Sequence, residues 1–105
     1  MDRQIQWIQW IHWEDEALDD LRLLVEHIAA DNPDAARRFG MSVVDKVEAL
    51  RRHPRMGRRY APMTEAEIRE VPVSPYRIFY RVETDRVVVM AVMAVWHGAR
   101  SEPKF

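Results

Sequence analysis

Apolar residues recur at intervals of three and four positions in the stretch that follows Trp13, and this spacing predicts an amphipathic helix. We predict Asp15 as its N-cap and an end near Asp31. Acidic residues fill the early turns, where the positive end of the helix dipole favours them. The predicted buried stripe is Leu18, Leu21, Leu24, Val25 and Ile28.

The pair Asn32-Pro33 predicts a second helix, because Asn is a preferred N-cap and Pro fits the first helical position. This helix should run from Asp34 to about His53, since Pro54 cannot continue it. Gly40, which costs about 1 kcal/mol relative to Ala within a helix, indicates close contact with the first helix. The short link predicts an antiparallel helical hairpin. The second buried stripe is Ala36, Phe39, Val43, Val47 and Leu50.

Near alternation of polar and bulky residues over 4–13 predicts a first strand before the helices. An irregular connection over 54–66 follows the hairpin, and turns at Ser74-Pro75 and Thr84-Asp85 then separate three more strands. The last of them is apolar on both faces and must therefore be central. The predicted ranges of these three strands are Glu67–Val73, Tyr76–Glu83 and Arg86–Trp96.

This order of elements predicts a single α+β domain over residues 1–105. An N-terminal strand comes first, then the antiparallel helical hairpin, then a three-stranded antiparallel meander. The two helices should cover one face of a small sheet, and the first strand should lie beside the last.

The composition narrows the class of protein. There is no Cys, which excludes disulfides and thiolate metal sites and fits a reducing compartment. No stretch of signal-peptide type and no run of about 20 apolar residues is present, so we expect a cytoplasmic location without membrane contact. The net charge of -1 hides an asymmetry, because residues 1–50 are acidic and residues 51–105 are basic and rich in Arg.

Motifs for common chemistry are missing from the sequence. The four His residues do not occur at metal-ligand spacing, and the three Gly residues are scattered, so neither a metal site nor a phosphate loop is predicted. No Ser-centred elbow or Cys nucleophile is present. We therefore expect no cofactor.

Three clusters could carry function. The first, Trp96-His97-Gly98-Ala99-Arg100, follows the buried last strand, where His97 could donate a proton and Arg100 could stabilise a phosphorane oxygen. Its structural alternative is a His that bonds backbone carbonyls beside an Arg that pairs with a helix acid.

The second cluster is an Arg-rich run after the second helix, which could bind phosphate or simply be a solvated basic loop: Arg51, Arg52, Arg55, Arg58 and Arg59.

The third cluster is the strand from Tyr76 to Arg81. A period of two places Arg77, Phe79 and Arg81 on one face, which we expect to be the face without helices. Arg interleaved with an aromatic residue suits an acidic peptide or a nucleic acid. The alternative is a solvated strand face with cross-strand ion pairs.

Taken together, the stretches resemble the ParE/RelE toxin superfamily over nearly the whole length, and the order and spacing of the matches carry the resemblance. They begin with Trp13 and Ala17–Leu21, continue with His27–Pro33, Ala35-Ala36, Val47–Leu50 and His53–Arg58, and end with Ile68–Val71, Pro75–Arg81 and His97–Arg100.

The resemblance implies the toxin of a type II toxin–antitoxin system. Members of the ParE branch are thought to inhibit DNA gyrase without being enzymes, and Asn32-Pro33 and the closing His97–Arg100 look more like that branch. RelE-like members instead cut mRNA on the ribosome, and Arg77, His97 and Arg100 would then be the catalytic candidates. No base stands out among Glu65, Glu67 and Glu70.

Either branch implies a hetero-oligomer in which the C-terminal segment of a cognate antitoxin wraps the toxin as a helix or strand. Trp7 and Trp10 are candidates for its apolar contacts. The predicted antitoxin- or target-binding residues are Arg69, Arg77, Phe79, Arg81, Trp96, His97 and Arg100.

Overall fold

The computed structural model describes residues 10–60 and 66–93 as two helices packed on a five-stranded mixed sheet. The elements in chain order are β1 (Trp10–Trp13), α1 (Asp15–Asp31), α2 (Pro33–Ala49), β2 (Arg58–Tyr60), β3 (Glu67–Val73), β4 (Tyr76–Val82) and β5 (Arg86–Met93). The α+β class, the helical hairpin and the β3–β5 meander are as predicted. No helix among the described residues is long and apolar enough to cross a membrane.

The sheet order is β1-β5-β4-β3-β2, so β5 lies between two neighbours, as its apolar composition predicted. Strand β1 runs parallel to β5 and pairs Trp10 with Arg86, while the other strands are antiparallel. Beyond the end of β1, the Asp20 carboxylate of α1 accepts the Val92 N–H of β5 at 3.0 Å. A helix side chain thus satisfies a backbone donor where the neighbouring strand stops.

The predicted start of α2 is confirmed, because the Asn32 side chain accepts the Ala35 N–H at 3.0 Å and Pro33 opens the helix. The predicted N-cap of α1 is wrong by one residue. Glu14 occupies that position without a side-chain cap bond, since its N–H donates to the Val89 carbonyl at 3.0 Å and ties the residue to the sheet.

The predicted end of α2 near His53 is also wrong. The helix ends at Ala49, and Leu50 follows as a buried C-cap whose N–H donates to the Val47 carbonyl at 3.0 Å. Bonds to the third preceding residue tighten the turn and close the helix before Pro54 is reached.

One core fills the space between the helices and the sheet. The predicted stripe of α1 is confirmed in part, because four of its members are half-buried and Leu18 is exposed. The fully buried residue of this helix is Ala17, which the predicted stripe did not include. The predicted stripe of α2 is confirmed in full, as its five members are all buried. At Gly40 a methyl group would lie 3.7 Å from Val25 Cγ2, so α1 and α2 are in contact there with room for a side chain.

A bulge interrupts the pairing of β4 and β5, since Phe79 pairs with Ala91 but Tyr80 pairs with Val89. Met90 is therefore the extra residue of β5. Met90 and Ala91 both join apolar clusters on the face away from the helices, whereas Val89 belongs to the core under them.

Candidate functional site

The helix-free face of the sheet, meaning the face opposite α1 and α2, carries Arg77, Phe79 and Arg81 as predicted. Phe79, however, is buried in a cluster with Ala91 and Met93 and packs edge-on against Tyr60 at a centroid distance of 5.2 Å. Its ring belongs to the packing of this face and is not presented to solvent as a stacking surface.

Glu70 lies at the centre of the polar groups on this face. It is only 7% exposed, and its carboxylate accepts from Arg77 Nη1 at 3.2 Å through Oε1. Its second oxygen, Oε2, lies 3.5 Å from Arg58 Nη2 on the adjacent strand β2. A buried carboxylate needs such partners, because desolvation without them would be costly.

These groups line a shallow, open depression of about 350 Å³, which we name the Arg58–Arg77 cleft. Two guanidinium groups face one carboxylate there, so the cleft carries an excess positive charge. Such a site can bind a further carboxylate or phosphate oxygen. The lining residues are Met56, Gly57, Arg58, Glu70, Pro72 and Arg77.

Arg81 is engaged within its own face. Its Nε donates to Glu83 Oε2 at 2.7 Å, and its Nη1 lies 3.8 Å from the Met90 sulfur. Arg77 makes a cross-strand ion pair and Arg81 a local one. Such pairs fit both a solvated strand face with ion pairs and a binding surface.

Arg69 does not join these residues, because it lies on the face under the helices. It pairs with Tyr80 in the β3–β4 register, and Tyr80 belongs to the core on that side. Its Nε donates to Glu67 Oε2 at 2.8 Å and its Nη1 to the Gly57 carbonyl at 2.7 Å. That Arg69 binds an antitoxin or a target stays a prediction, and the contacts that the structure gives it join β3 to the loop after α2.

The contacts of Arg69 are part of a clamp that holds the α2–β2 loop on the sheet. Arg55 of the loop donates to both oxygens of Glu67 at 2.8 and 3.0 Å. The buried Tyr80 hydroxyl accepts the Gly57 N–H at 3.1 Å and donates to the Pro54 carbonyl at 2.8 Å. Burial raises the pKa of this hydroxyl, outweighing its hydrogen bond from Gly57. The clamp fixes the loop that leads directly into Arg58, the first residue of β2.

Partial burial on its own would raise the pKa of Glu67, but the hydrogen bonds from Arg55 and Arg69 and the charges of both lower it more, so the net pKa lies below the ordinary value of 4.5. A carboxyl group whose pKa is lower in the folded state than in the unfolded state stabilises the fold. This stabilisation is fully present when the pH is above the unfolded-state pKa. The stabilisation is lost as the pH falls through the folded-state pKa.

Glu67→Gln is therefore expected to lower the free energy of unfolding by about 1–2 kcal/mol near neutral pH. The difference from wild type should close as urea unfolding is repeated at progressively lower pH, because protonated Glu67 no longer differs from Gln in charge. Glu26→Gln, which removes an exposed helix pair with Arg22 at 3.4 Å, is the control and should cost no more than about 0.5 kcal/mol. A difference independent of pH would contradict the assignment.

Trp96, His97 and Arg100 lie outside the described residues, as does Trp7. Among the described residues, no group of three or more His, Cys, Asp or Glu could hold a metal ion.

Glu70 was one of three possible bases in the sequence, and the position of Arg58 beside it was missed. The turn at Ser74-Pro75 contained a usable signal, since a two-residue connection pairs Val73 with Tyr76 and so places Glu70 opposite Phe79 on the helix-free face. Nothing comparable fixes Arg58, because its position depends on the unpredicted strand β2.

Exposed apolar side chains follow the line along which α1 and α2 touch. Leu18 lies two turns before Val25 and Val44 lies one turn after Gly40, and Leu18 and Val44 are each 48% exposed. Exposed apolar residues that share a line of contact are typical of a surface used by another protein. Trp10, at the sheet edge, is exposed as well.

Comparison with known protein families finds a match over most of the chain. The sequence model of the family described as "ParE toxin of type II toxin-antitoxin system, parDE" matches residues 11–102. No curated protein sequence was found to match.

The chromosomal ParDE toxin–antitoxin system from P. aeruginosa includes a chain of similar structure, with a TM-score of 0.68 and 16% identity over 85% of this chain and 98% of that one. A chain of the intact E. coli RelBE toxin–antitoxin complex matches with a TM-score of 0.47 and 18% identity over 84% of this chain and 98% of that one. The family match spans nearly all of the described fold, and the chain accordingly belongs to the ParE toxin family, the toxins of type II toxin–antitoxin systems.

Proposed function

We propose that this toxin inhibits DNA gyrase in the cytoplasm by protein–protein contact and that a cognate antitoxin neutralises it. The family match over residues 11–102 carries the proposal.

The geometry of the described residues supports a role without catalysis. Glu67 is held by two Arg side chains in the clamp, Arg81 is held by Glu83, and Phe79 is buried. A ribonuclease needs groups that are free to reach the RNA backbone and accept or donate protons. Glu67 and Arg81 are instead used to hold the fold.

Exposed apolar groups support an antitoxin that covers the toxin. Leu18 and Val44 follow the hairpin contact line, and Met41 and Leu23 add further exposed apolar surface on the two helices. Such surface lowers the free energy of a complex when it is buried. A toxin–antitoxin hetero-oligomer would bury it.

A second candidate, a ribosome-dependent mRNA endoribonuclease, is favoured by one observation. Glu70 and Arg77 lie 3.2 Å apart in an open cleft. A carboxylate could activate a 2'-hydroxyl there while the guanidinium stabilises charge on the phosphorane. His97 and Arg100 would then supply the proton donor and a second cation.

Tightly induced expression separates the two functions. Gyrase inhibition should give trapped cleaved DNA and filamentous cells with intact mRNA, and co-expression of the antitoxin should restore growth. Glu70→Gln keeps the shape of the side chain but cannot act as a base, so toxicity should persist in this variant and in His97→Gln. Rapid codon-biased mRNA cutting with normal DNA, reduced at least about 100-fold by Glu70→Gln, would contradict gyrase inhibition and support the endoribonuclease.

A further inference from the structure

We infer that the Arg58–Arg77 cleft binds an acidic side chain of a peptide segment in which that residue lies next to an apolar one. The inference deepens the proposed function and rests on it, because the segment belongs to the antitoxin. Its basis is the charge, the fixed geometry and the lining of the cleft.

The charge of the cleft is incompletely neutralised. Glu70 is shared by Arg58 and Arg77, which leaves one positive charge in excess. Arg58 is 74% exposed, and its ion pair with Glu70 uses one nitrogen at 3.5 Å. A guanidinium group has five N–H donors, and a carboxylate can accept two of them side by side. Most donors of Arg58 are thus available to an incoming acid.

The backbone that carries these donors is held in place before any partner arrives. Glu70 is buried on β3, which is bonded to β2 on one side and β4 on the other. It holds Arg77 from β4 and Arg58 from β2, and the clamp at Gly57 fixes the start of β2. Groups that are ordered in the free protein lose less conformational entropy on binding, which favours affinity.

The lining of the cleft favours a peptide over a nucleic acid. None of the six lining residues in the described part of the chain is aromatic, so these residues offer no ring on which a base could stack. Met56 and Pro72 are both exposed and form apolar contact surface beside the two Arg side chains. Met in particular adapts its shape to different apolar side chains. An acidic residue flanked by an aliphatic one matches both parts of the cleft.

The cleft is also at an accessible place in the sheet. Strand β2 is the last in the order, so in the described part of the chain no strand lies beyond it. An extended or helical segment of the antitoxin can approach this edge while its acidic side chain reaches Arg58.

Arg58→Gln tests the inference by calorimetric measurement of the dissociation constant, with the purified product of the gene adjacent to the toxin gene used as the antitoxin probe. We expect binding to weaken by about tenfold or more, and less so at high salt, where the wild-type ion pair is screened. Met56→Glu places a negative charge in the cleft, which repels the incoming acidic side chain, so it should weaken binding as well. Arg59→Gln is the matched control, since Arg59 is the next residue of β2, is exposed, and by strand alternation lies on the face opposite the cleft; it should change binding by less than about twofold.

A double-mutant cycle identifies the partner residue. Among antitoxin variants in which single acidic residues become Gln, one should weaken wild-type binding but leave the affinity of Arg58→Gln toxin unchanged. Thermal unfolding of each toxin variant checks that the fold is retained.

The outcomes separate the inference from the proposed function. If wild-type toxin binds the antitoxin and both Arg58→Gln and Met56→Glu bind as tightly as the control, the inference fails and neutralisation stands. If the wild type does not bind the antitoxin, the proposed partner fails and the inference with it. If Arg58→Gln abolishes binding of a single-stranded RNA oligonucleotide and leaves antitoxin affinity intact, the cleft is a nucleic-acid site and the inference is overturned.

Discussion

Gly57→Ala is expected to lower the free energy of unfolding by about 2–3 kcal/mol, because the added methyl group has no space. An ideal Cβ at this position would lie 2.6 Å from the Glu70 carbonyl oxygen, 2.7 Å from the Tyr80 hydroxyl and 2.8 Å from Val71 Cγ1. The first of these atoms belongs to the backbone of the sheet, and the second is held by two hydrogen bonds. The loop must therefore move away from β3 and lose bonds of the clamp.

Urea unfolding followed by circular dichroism measures this effect, and Gly40→Ala is its control. At Gly40 the new methyl group meets Val25 at an ordinary distance of 3.7 Å. The control should be as stable as wild type or up to about 1 kcal/mol more stable, since Ala is the better helix former. Equal stability of Gly57→Ala and wild type would show that the loop is not held as closely as the clamp requires.

Tyr80→Phe is expected to cost about 2 kcal/mol of stability. The substitution keeps the buried ring but removes the hydroxyl that accepts the Gly57 N–H and donates to the Pro54 carbonyl. Both backbone groups belong to buried residues, so they would lack a partner without regaining full contact with water. Loss of these bonds should also loosen the start of β2 and therefore the position of Arg58.

Chemical denaturation of Tyr80→Phe against Tyr76→Phe isolates the contribution of the hydroxyl. Tyr76 packs edge-on against Phe39 at a centroid distance of 5.2 Å, and its hydroxyl makes no hydrogen bond to the described residues. That control should change stability by less than about 0.5 kcal/mol. If the two variants are equally stable, the hydroxyl of Tyr80 does not hold the loop.

Most of the fold could be predicted because the helices and β5 are each specified by patterns within their own short segments. The hairpin follows from two apolar stripes joined at Asn32-Pro33, and the position of β5 follows from a strand that is apolar on both faces. The α+β arrangement then follows from covering one face of the sheet.

Strand β2 could not be predicted by the same reasoning. Arg58, Arg59 and Tyr60 show no apolar alternation, and they form a strand because β3 offers unpaired backbone groups to them. The clamp that brings them to β3 joins Pro54 and Gly57 to Tyr80, far along the chain. Only a three-dimensional contact, not a local preference, distinguishes this segment from a loop.

The candidate site was predicted in part for a related reason. Alternation placed Arg77 and Arg81 on the correct face, but it could not place residues of another strand relative to them. Arg69 was predicted as a binding residue without an assigned face, and the β3–β4 register sets it opposite Tyr80 and under the helices. Shifting a strand by one residue exchanges its two faces, so the register decides which Arg residues share a surface.

The pairing of β1 with β5 has a consequence for the order of folding. It joins Trp10 to Arg86 from almost opposite ends of the described chain, while β3, β4 and β5 are joined by short turns. Contacts between distant positions form late, because closing a long loop costs entropy before the contact forms. During synthesis β1 must wait until β5 has left the ribosome, so the nascent chain cannot complete this sheet while β5 is still unmade.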